Sequence, residues 1–269
     1  MKVTLQGVKE TALIPLWARA CETEKGASRL FDDPVSVEMM AKLDYDFGKF
    51  AKAKWSQIGT AVRTHILDKD VQEFLRRHPD PVCINLAGGL DTRYYRLDTG
   101  RSDWYNLDLP DVTALRRALL PEEPERVHNI SRSILDPSWV SLIEAAGRPV
   151  LLIMEGAAMY FSADEMKTLF AILAEGFPGA SMLIEVMPPF IVSQQKHHDS
   201  VSEETAPFKW GVKDGSELEA MNPAILYKEQ RTLYEGYRKY WGIMGILSHI
   251  PWWNRNCNDK IVKIAFQQR

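Results

Sequence analysis

Two adjacent glycines, Gly88 and Gly89, interrupt the apolar run CINLA (residues 83–87), and Asp91, Thr92 and Arg93 follow at once. A glycine turn at the end of a buried strand lets a ligand approach the backbone where a Cβ would hold it off. Ligands of open α/β sheets bind beyond the carboxyl ends of the strands, so such a turn marks a nucleotide-type cofactor site. Asp108, about 20 residues on and at the end of the next apolar segment, is placed to accept both ribose hydroxyls of an adenosine.

Two kinds of cofactor fit that outline. A dinucleotide calls for G-x-G-x-x-G, which rests its pyrophosphate on bare amides at a helix N-terminus. The run from Ala87 is A-G-G-L-D-T: the third glycine is absent, and Asp91 stands where phosphates would lie and be repelled. S-adenosylmethionine carries no phosphate, and its sulfonium cation tolerates a nearby acid. The residues therefore favour the methyl donor. An NAD(P)-dependent oxidoreductase is the less favoured reading, and a plain turn with Asp91 as helix N-cap is the structural alternative.

The elements that must position these residues are legible from periodicity. ETALIPLWARACE and AVRTHILDKDVQEFLRRH place apolar residues three and four apart, so residues 1–80 read as helical. Strands are predicted at VCINLA, DWYNLDLP, RVHNISRSILD, PVLLIMEG and ASMLIEVM. Helices are predicted at DVTALRRALL, WVSLIEAAG and SADEMKTLFAILAEGF, the last with Ser162 as N-cap and Glu165 at N3. The alternation predicts an α/β fold: a Rossmann-like, mostly parallel sheet with helices on both faces. The polar run SQQKHHDSVSEETAPFKWG then predicts an inserted cap, AILYKEQRTLY and KIVKIAFQQ two closing strands, and YWGIMGILSHIPWW a buried helix or pocket wall. The expected organisation is one domain: a helical N-terminal extension (1–80), a cofactor-binding core (81–187), a cap insertion (188–223) and a closing segment (224–269).

Composition narrows the function classes. A net charge of −3 with scattered Lys and Arg gives no global pull toward nucleic acid. Cys21, Cys83 and Cys257 are far apart, which argues against disulfides and a zinc site and suits a reducing cytoplasm. No leader peptide is read, and no apolar run approaches the roughly 18 residues of a membrane span. No metal set is expected; His197 and His198 are neighbours in a polar stretch.

NLAGGLDTRYYRL, YNLDLPDV, SILDPSW and EGAAMYF occur in that order, after ALIPLWARACE, LFDDPVSVEMM, LDYDF and AVRTHILD. Together these segments, from about residue 11 to residue 187, resemble the leucine carboxyl methyltransferase family, which includes tetracenomycin-type polyketide O-methyltransferases. The resemblance implies an S-adenosylmethionine-dependent O-methyltransferase with a class I methyltransferase sheet and a late cap. It implies that Arg63, helped by Arg19, binds the methionine carboxylate of the cofactor. Ala87, Gly88, Gly89 and Asp91 would lie under its methionine portion, Asp108 and Leu109 at the ribose, Leu135 and Asp136 beside the adenine, and Glu155 and Gly156 facing the cofactor. Two departures stand out: Ala87 replaces the first glycine of the family's usual Gly-x-Gly, and EGAAMYF replaces EGLLMYL. A relative that binds the cofactor without turnover is the second alternative.

The acceptor stays open between a carboxylate and a phenol of a small molecule or natural-product intermediate. A carboxylate acceptor is ionised at neutral pH and calls for a nearby cation, with Arg93, Arg96 and Arg19 as candidates. A phenol, with a pKa near 10, gains from a base, with His197, His198 or an acid as candidates and Tyr160 as a pocket-lining aromatic. Trp17, Phe208 and Trp210 are candidates for an apolar wall. The oligomeric state is not readable.

Overall fold

Apolar residues occupy both faces of the central strands, and that double burial dictates a sheet sandwiched between helical layers. The computed structural model describes residues 1–268. Its strands are β1 (Val82–Leu86), β2 (Asp103–Asp108), β3 (Val127–Ser131), β4 (Val150–Met154), β5 (Ser181–Val186), β6 (Ile225–Thr232) and β7 (Lys260–Phe266). They form one sheet of order β3-β2-β1-β4-β5-β7-β6. β1 to β5 pair in parallel, and the closing strands β6 and β7 are antiparallel. The helices are α1 (Leu13–Thr23), α2 (Pro34–Ala41), α3 (Lys54–Arg77), α4 (Arg93–Leu97), α5 (Pro110–Leu119), α6 (Ala163–Gly176), α7 (Pro189–Ser193), α8 (Ile243–Leu247) and α9 (Pro251–Asn256).

The two-residue alternation of the strands sorts the core into layers. Cys83, Trp104, Leu151, Ile153 and Leu183 meet Val62, Ile66 and Val71 of α3 on one face. Val82, Ile84, Leu152, Met154 and Met182 meet Leu169, Phe170 and Leu173 of α6 on the other. The leading helices form a third cluster, where Leu13, Leu16 and Trp17 of α1 pack with Met39 and with Val112 and Leu115 of α5. α1 is thereby held across the end of the sheet where β1 and β2 finish. The parallel sheet, the helices on both faces and the two closing strands agree with the expectation from sequence.

Three segments differ from it. The third strand ends at Ser131, and residues 132–136 turn away from the sheet. WVSLIEAAG is no α-helix: a 3-10 turn runs from Pro137 to Leu142, and left-handed Ala146 (φ 47°) and Gly147 (φ 77°) stop any continuation. YWGIMGILSHIPWW, expected as a buried helix or pocket wall, is not one buried helix, although its Trp241, Met244 and Trp253 do line a cavity. Gly242 (φ 52°) and Pro251 divide it into the short α8 and α9, which leave Ile243, Ile246, Ile250 and Trp252 exposed. Among the described residues no helix is long and apolar enough to cross a membrane.

The α6 start closes as its sequence dictates. The Glu165 amide donates to Ser162 Oγ (3.2 Å), and the Ser162 amide donates to Glu165 Oε2 (2.7 Å). Ser162→Ala is expected to cost about 1 kcal/mol of stability, read as a lower midpoint in urea denaturation. An unchanged midpoint would mean that the box contributes nothing.

Candidate active site

β1 ends in a turn that takes left-handed backbone twice, at Ala87 (φ 51°) and Gly89 (φ 54°). Alanine thus keeps the conformation that glycine would adopt freely, at a strain of about 1 kcal/mol or more. A Cβ on Gly88 would sit 2.8 Å from the Asn85 Cβ, so that glycine also serves close packing within the turn. Asp108, ending β2, latches onto it: Oδ2 accepts from the Gly89 amide and Oδ1 from the Leu109 amide, both at 2.7 Å. Burial raises the Asp108 pKa against the pull of those amides.

Beside this turn lies a cavity of about 340 Å³. The ends of β1, β2 and β4 form its floor, and Thr11, Ala12, Pro15 and Arg19 of the N-terminal extension form its roof. The predicted residues Arg19, Arg63, Ala87, Gly88, Gly89, Asp91, Arg93, Asp108, Leu109, Leu135, Glu155, Gly156 and Tyr160 all line it. Asp136 does not. Its Oδ1 accepts from the Ser138 amide (3.0 Å) and caps the 3-10 turn, and it pairs with Arg132 on the surface. Ser133, Ile134 and Leu135 take the wall position expected of it.

An ion-pair network braces the cavity from behind. Glu155, just past β4, accepts from Arg63 Nε through Oε1 (3.0 Å) and from Arg93 Nη2 through Oε2 (2.6 Å). Burial alone would raise the Glu155 carboxyl; Arg93 and Arg63 outweigh it and hold it at about 2. Arg93 also donates to Asp68 (2.8 Å) and Asp91 (2.7 Å), and Arg63 to Glu185 (3.2 Å). Arg96 binds Asp68 (2.9 Å) and Asp33 (2.8 Å), while Arg19 binds Asp33 (3.1 Å) and the Leu90 carbonyl (2.7 Å). Arg93, Arg96 and Arg19, the candidates for meeting an acceptor carboxylate, are each paired with internal carboxylates instead.

A second cavity of about 360 Å³ adjoins the first. The two share Thr11, Pro15, Arg63, Gly156 and Tyr160 as a common wall. Gly156 is left-handed (φ 66°), and a Cβ there would lie 2.8 Å from Arg63 Nη2, so glycine is required where the cavities meet. Trp55, Phe190, Phe208, Trp241 and Trp253 line the second cavity, with Glu185, Asn258 and Asp259 among its polar residues. Of the three aromatics expected in a wall, Phe208 is there. Trp17 packs instead against Phe50 in the core, and Trp210 packs against the sheet.

His198 lines the second cavity, but its Nδ1 accepts from the Val201 (3.2 Å) and Ser200 (3.4 Å) amides. Burial lowers its pKa, so the ring is neutral with its proton on Nε2, and it has no lone pair to offer as a base. The following residue, Asp199, accepts from the Trp55 (2.8 Å) and Ser56 (3.2 Å) amides and so caps α3 from the polar insertion. Tyr160 stands in the shared wall, and burial pushes its phenol up. Trp241 and Trp253 belong to YWGIMGILSHIPWW, expected as a buried helix or pocket wall, and they do line this wall; periodicity alone misses Glu185, Asn258, Asp259 and Trp55. A lone acid inside the apolar ASMLIEVM was the available signal for Glu185; the others come from segments with no strong pattern.

Comparison with known proteins places the chain in a family. The sequence profile described as leucine carboxyl methyltransferase matches residues 12–174. The chain belongs to the leucine carboxyl methyltransferase family. It is 28% identical over 234 residues to the tetracenomycin polyketide synthesis O-methyltransferase TcmP of Streptomyces glaucescens, covering 87% of this chain and 86% of that protein. It is 29% identical over 277 residues to the S-adenosyl-L-methionine-dependent methyltransferase dpfgK of Gibberella zeae, covering 94% and 92%. In fold it is similar to a DUF574 family protein from Streptomyces avermitilis (TM-score 0.62, 12% identity, 96% of this chain and 97% of that one). The expected enzyme class, a methyltransferase, comes with the family.

Because the Glu155 pKa lies near 2, below its ordinary 4.5, its contribution to stability is complete above about 4.5 and is lost as pH falls through 2. Acid unfolding followed by circular dichroism should therefore steepen in that window, and Glu155→Gln should flatten it. Glu155→Ala, which strips a partner from both arginines, is expected to cost about 3–5 kcal/mol. An identical acid profile in Glu155→Gln would contradict the assignment.

Proposed function

We propose that the protein carries a methyl group from S-adenosylmethionine in the first cavity to an oxygen of a small molecule in the second. The observation that carries this reading is the common wall of Arg63, Gly156 and Tyr160 between two cavities of ligand size. Methyltransferase activity with S-adenosylmethionine as donor accords with the names of TcmP and dpfgK, and a small natural-product-like acceptor with the polyketide role in the TcmP name.

The first cavity suits this donor on its own chemistry. Its turn presents Asp91 and Asp108, which tolerate a sulfonium and would repel a pyrophosphate. Both Asp108 oxygens spend one lone pair on an amide and keep capacity for ribose hydroxyls. Arg63 would meet the methionine carboxylate, Leu109 and Leu135 would flank the adenosine, and Ala87, Gly88 and Gly89 would underlie the amino-acid portion. Bound there, the donor supplies an already activated methyl group. What the chain supplies is alignment, which can contribute roughly 7–11 kcal/mol by holding the nucleophile at attack distance. Tyr160 belongs to that alignment, as the aromatic facing both cavities.

The four-part organisation fits the same reading: residues 1–80 roof the donor site, 81–187 bind the donor, 188–223 cap the acceptor, and 224–269 close the sheet and the acceptor wall. Three unpaired cysteines accord with a reducing cytoplasm.

Isothermal titration with S-adenosylhomocysteine, with NADH as control, tests the donor assignment. Binding of the first alone is expected, and Asp108→Ala should weaken it by about 1–3 kcal/mol, the cost of leaving ribose hydroxyls unpaired. Binding of NADH instead, or unchanged affinity in Asp108→Ala, would sink it.

A further inference from the structure

The second cavity reaches the surface beside Trp55 and Phe190, which both line it and are exposed. Around them the fold leaves an apolar face uncovered. Ten large apolar side chains are exposed among the described residues. Six of them, Trp55, Phe190, Ile243, Ile246, Ile250 and Trp252, lie on or beside the elements that wall this one cavity. Within α8 and α9, Met244 and Trp253 line the cavity, while Ile243 (66% exposed), Ile246 (70%) and Trp252 (55%) are turned to solvent.

Aromatic contacts make the face continuous. Phe190 of α7 meets Trp252 edge-on, with ring centroids 5.3 Å apart. The next residue, Trp253, donates from Nε1 to the Tyr234 hydroxyl (3.2 Å), the Tyr234 ring meets Trp241 (5.3 Å), and Trp241 stacks with Trp55 (6.4 Å). Single exposed apolar residues need no explanation, but a connected set of this size marks a contact surface.

The charge set into this face is cationic. From Gly236 to Asn258 the chain holds no Asp or Glu, and it carries Arg238, Lys239 and Arg255. Lys239 precedes α8 by four positions and is exposed; Lys54 is exposed too, with its Nζ 5.5 Å from the centre of the Trp55 ring. Arg255, one turn after Trp252, has Asp214 as its carboxylate neighbour, at 3.7 Å. The acids that flank the face are engaged elsewhere: Asp199 accepts from the Trp55 and Ser56 amides, and Glu235 from the Thr232 amide.

This composition selects the partner. A second copy seated face to face would set these cations against their own kind. Protein interfaces are depleted in lysine, whereas Trp and Ile bordered by Lys and Arg make up segments that lie in the headgroup region of an anionic bilayer. Gly242 and Pro251 break the segment into short pieces, so it can rest on a bilayer but not cross one.

We infer that this face docks on an anionic lipid bilayer and brings the mouth of the second cavity against the leaflet. Ile243, Ile246, Ile250 and Trp252 enter the headgroup region. Lys54, Lys239 and Arg255 supply the attraction, which weakens as salt screens it.

The test is co-sedimentation of the full chain with two kinds of vesicle: phosphatidylcholine alone, and phosphatidylcholine with phosphatidylglycerol in equal parts. Binding to the mixed vesicles is expected to be at least about 10-fold tighter than to phosphatidylcholine, and to fall as salt is raised. The double variant Ile243→Asp with Ile246→Asp, and separately Lys54→Glu with Lys239→Glu, should each weaken it by at least about 10-fold. All four positions are exposed, so far-ultraviolet circular dichroism and S-adenosylhomocysteine affinity should match the parent chain. Absence of binding to the mixed vesicles, or unaltered binding in either variant, would overturn the inference. A concentration-dependent dimer in sedimentation velocity that the isoleucine variant dissolves would also overturn it and give the face to a second copy. A monomer that binds neither vesicle would give the face to another protein. The vesicle assay needs neither donor nor acceptor, so its failure leaves the donor assignment standing, and absence of S-adenosylhomocysteine binding leaves the docking face standing.

Discussion

Glu155 is the joint on which both cavities depend. One carboxylate, at the end of β4, is gripped by Arg63 of α3 and Arg93 of α4. Arg93 carries the linkage to Asp91 of the glycine turn, and Arg63 carries it to Glu185 of β5. Two helices are thereby pinned to the strand ends. Buried pairs of this kind gain little net stability over apolar packing, because desolvation offsets their attraction. Their use here is geometric: they hold Arg63 and Gly156 in the wall that separates the cavities. The cost of removing one partner is high because the others then stand buried and uncompensated.

The same network explains why charged residues near the cavity are poor candidates for substrate contacts. Arg19, Arg93 and Arg96 appear in the sequence as available cations, but Asp33, Asp68 and Asp91 consume them. A pairing of this sort joins residues far apart in the chain, 63 positions between Asp33 and Arg96 and 122 between Arg63 and Glu185, and leaves no local trace in the sequence. The polar insertion is likewise structural in part, since Asp199 caps α3 across 144 positions. Polar segments that look free in sequence are spent on tying the elements together.

What is legible in the sequence follows from local physics. The central strands β1, β4 and β5 are legible because each is a short apolar run buried on both faces, and α6 because Ser162 and Glu165 announce its start. Asp108 is legible from its distance to the glycine turn, and Glu155 because an acid ending an apolar strand needs a partner. Asp136 shows the limit of motif reasoning: the SILD segment reaches the cavity, but its acid turns outward to cap the next turn. Asp259 and Asn258 are illegible for another reason. They follow two short helices in a segment without periodicity, and only the pairing of β5 with β7 brings them beside Glu185. WVSLIEAAG reads as a helix by composition, and its left-handed Ala146 is set by the tertiary turn.

The central claim is that donor and acceptor occupy neighbouring cavities divided by Arg63, Gly156 and Tyr160. A crystal structure of the complex with S-adenosylhomocysteine tests it most directly. The account predicts the ribose hydroxyls on Asp108, the amino-acid carboxylate at Arg63 and the sulfur at the shared wall, open toward the second cavity. A ligand seated in the second cavity, or a ribose away from Asp108, would contradict it.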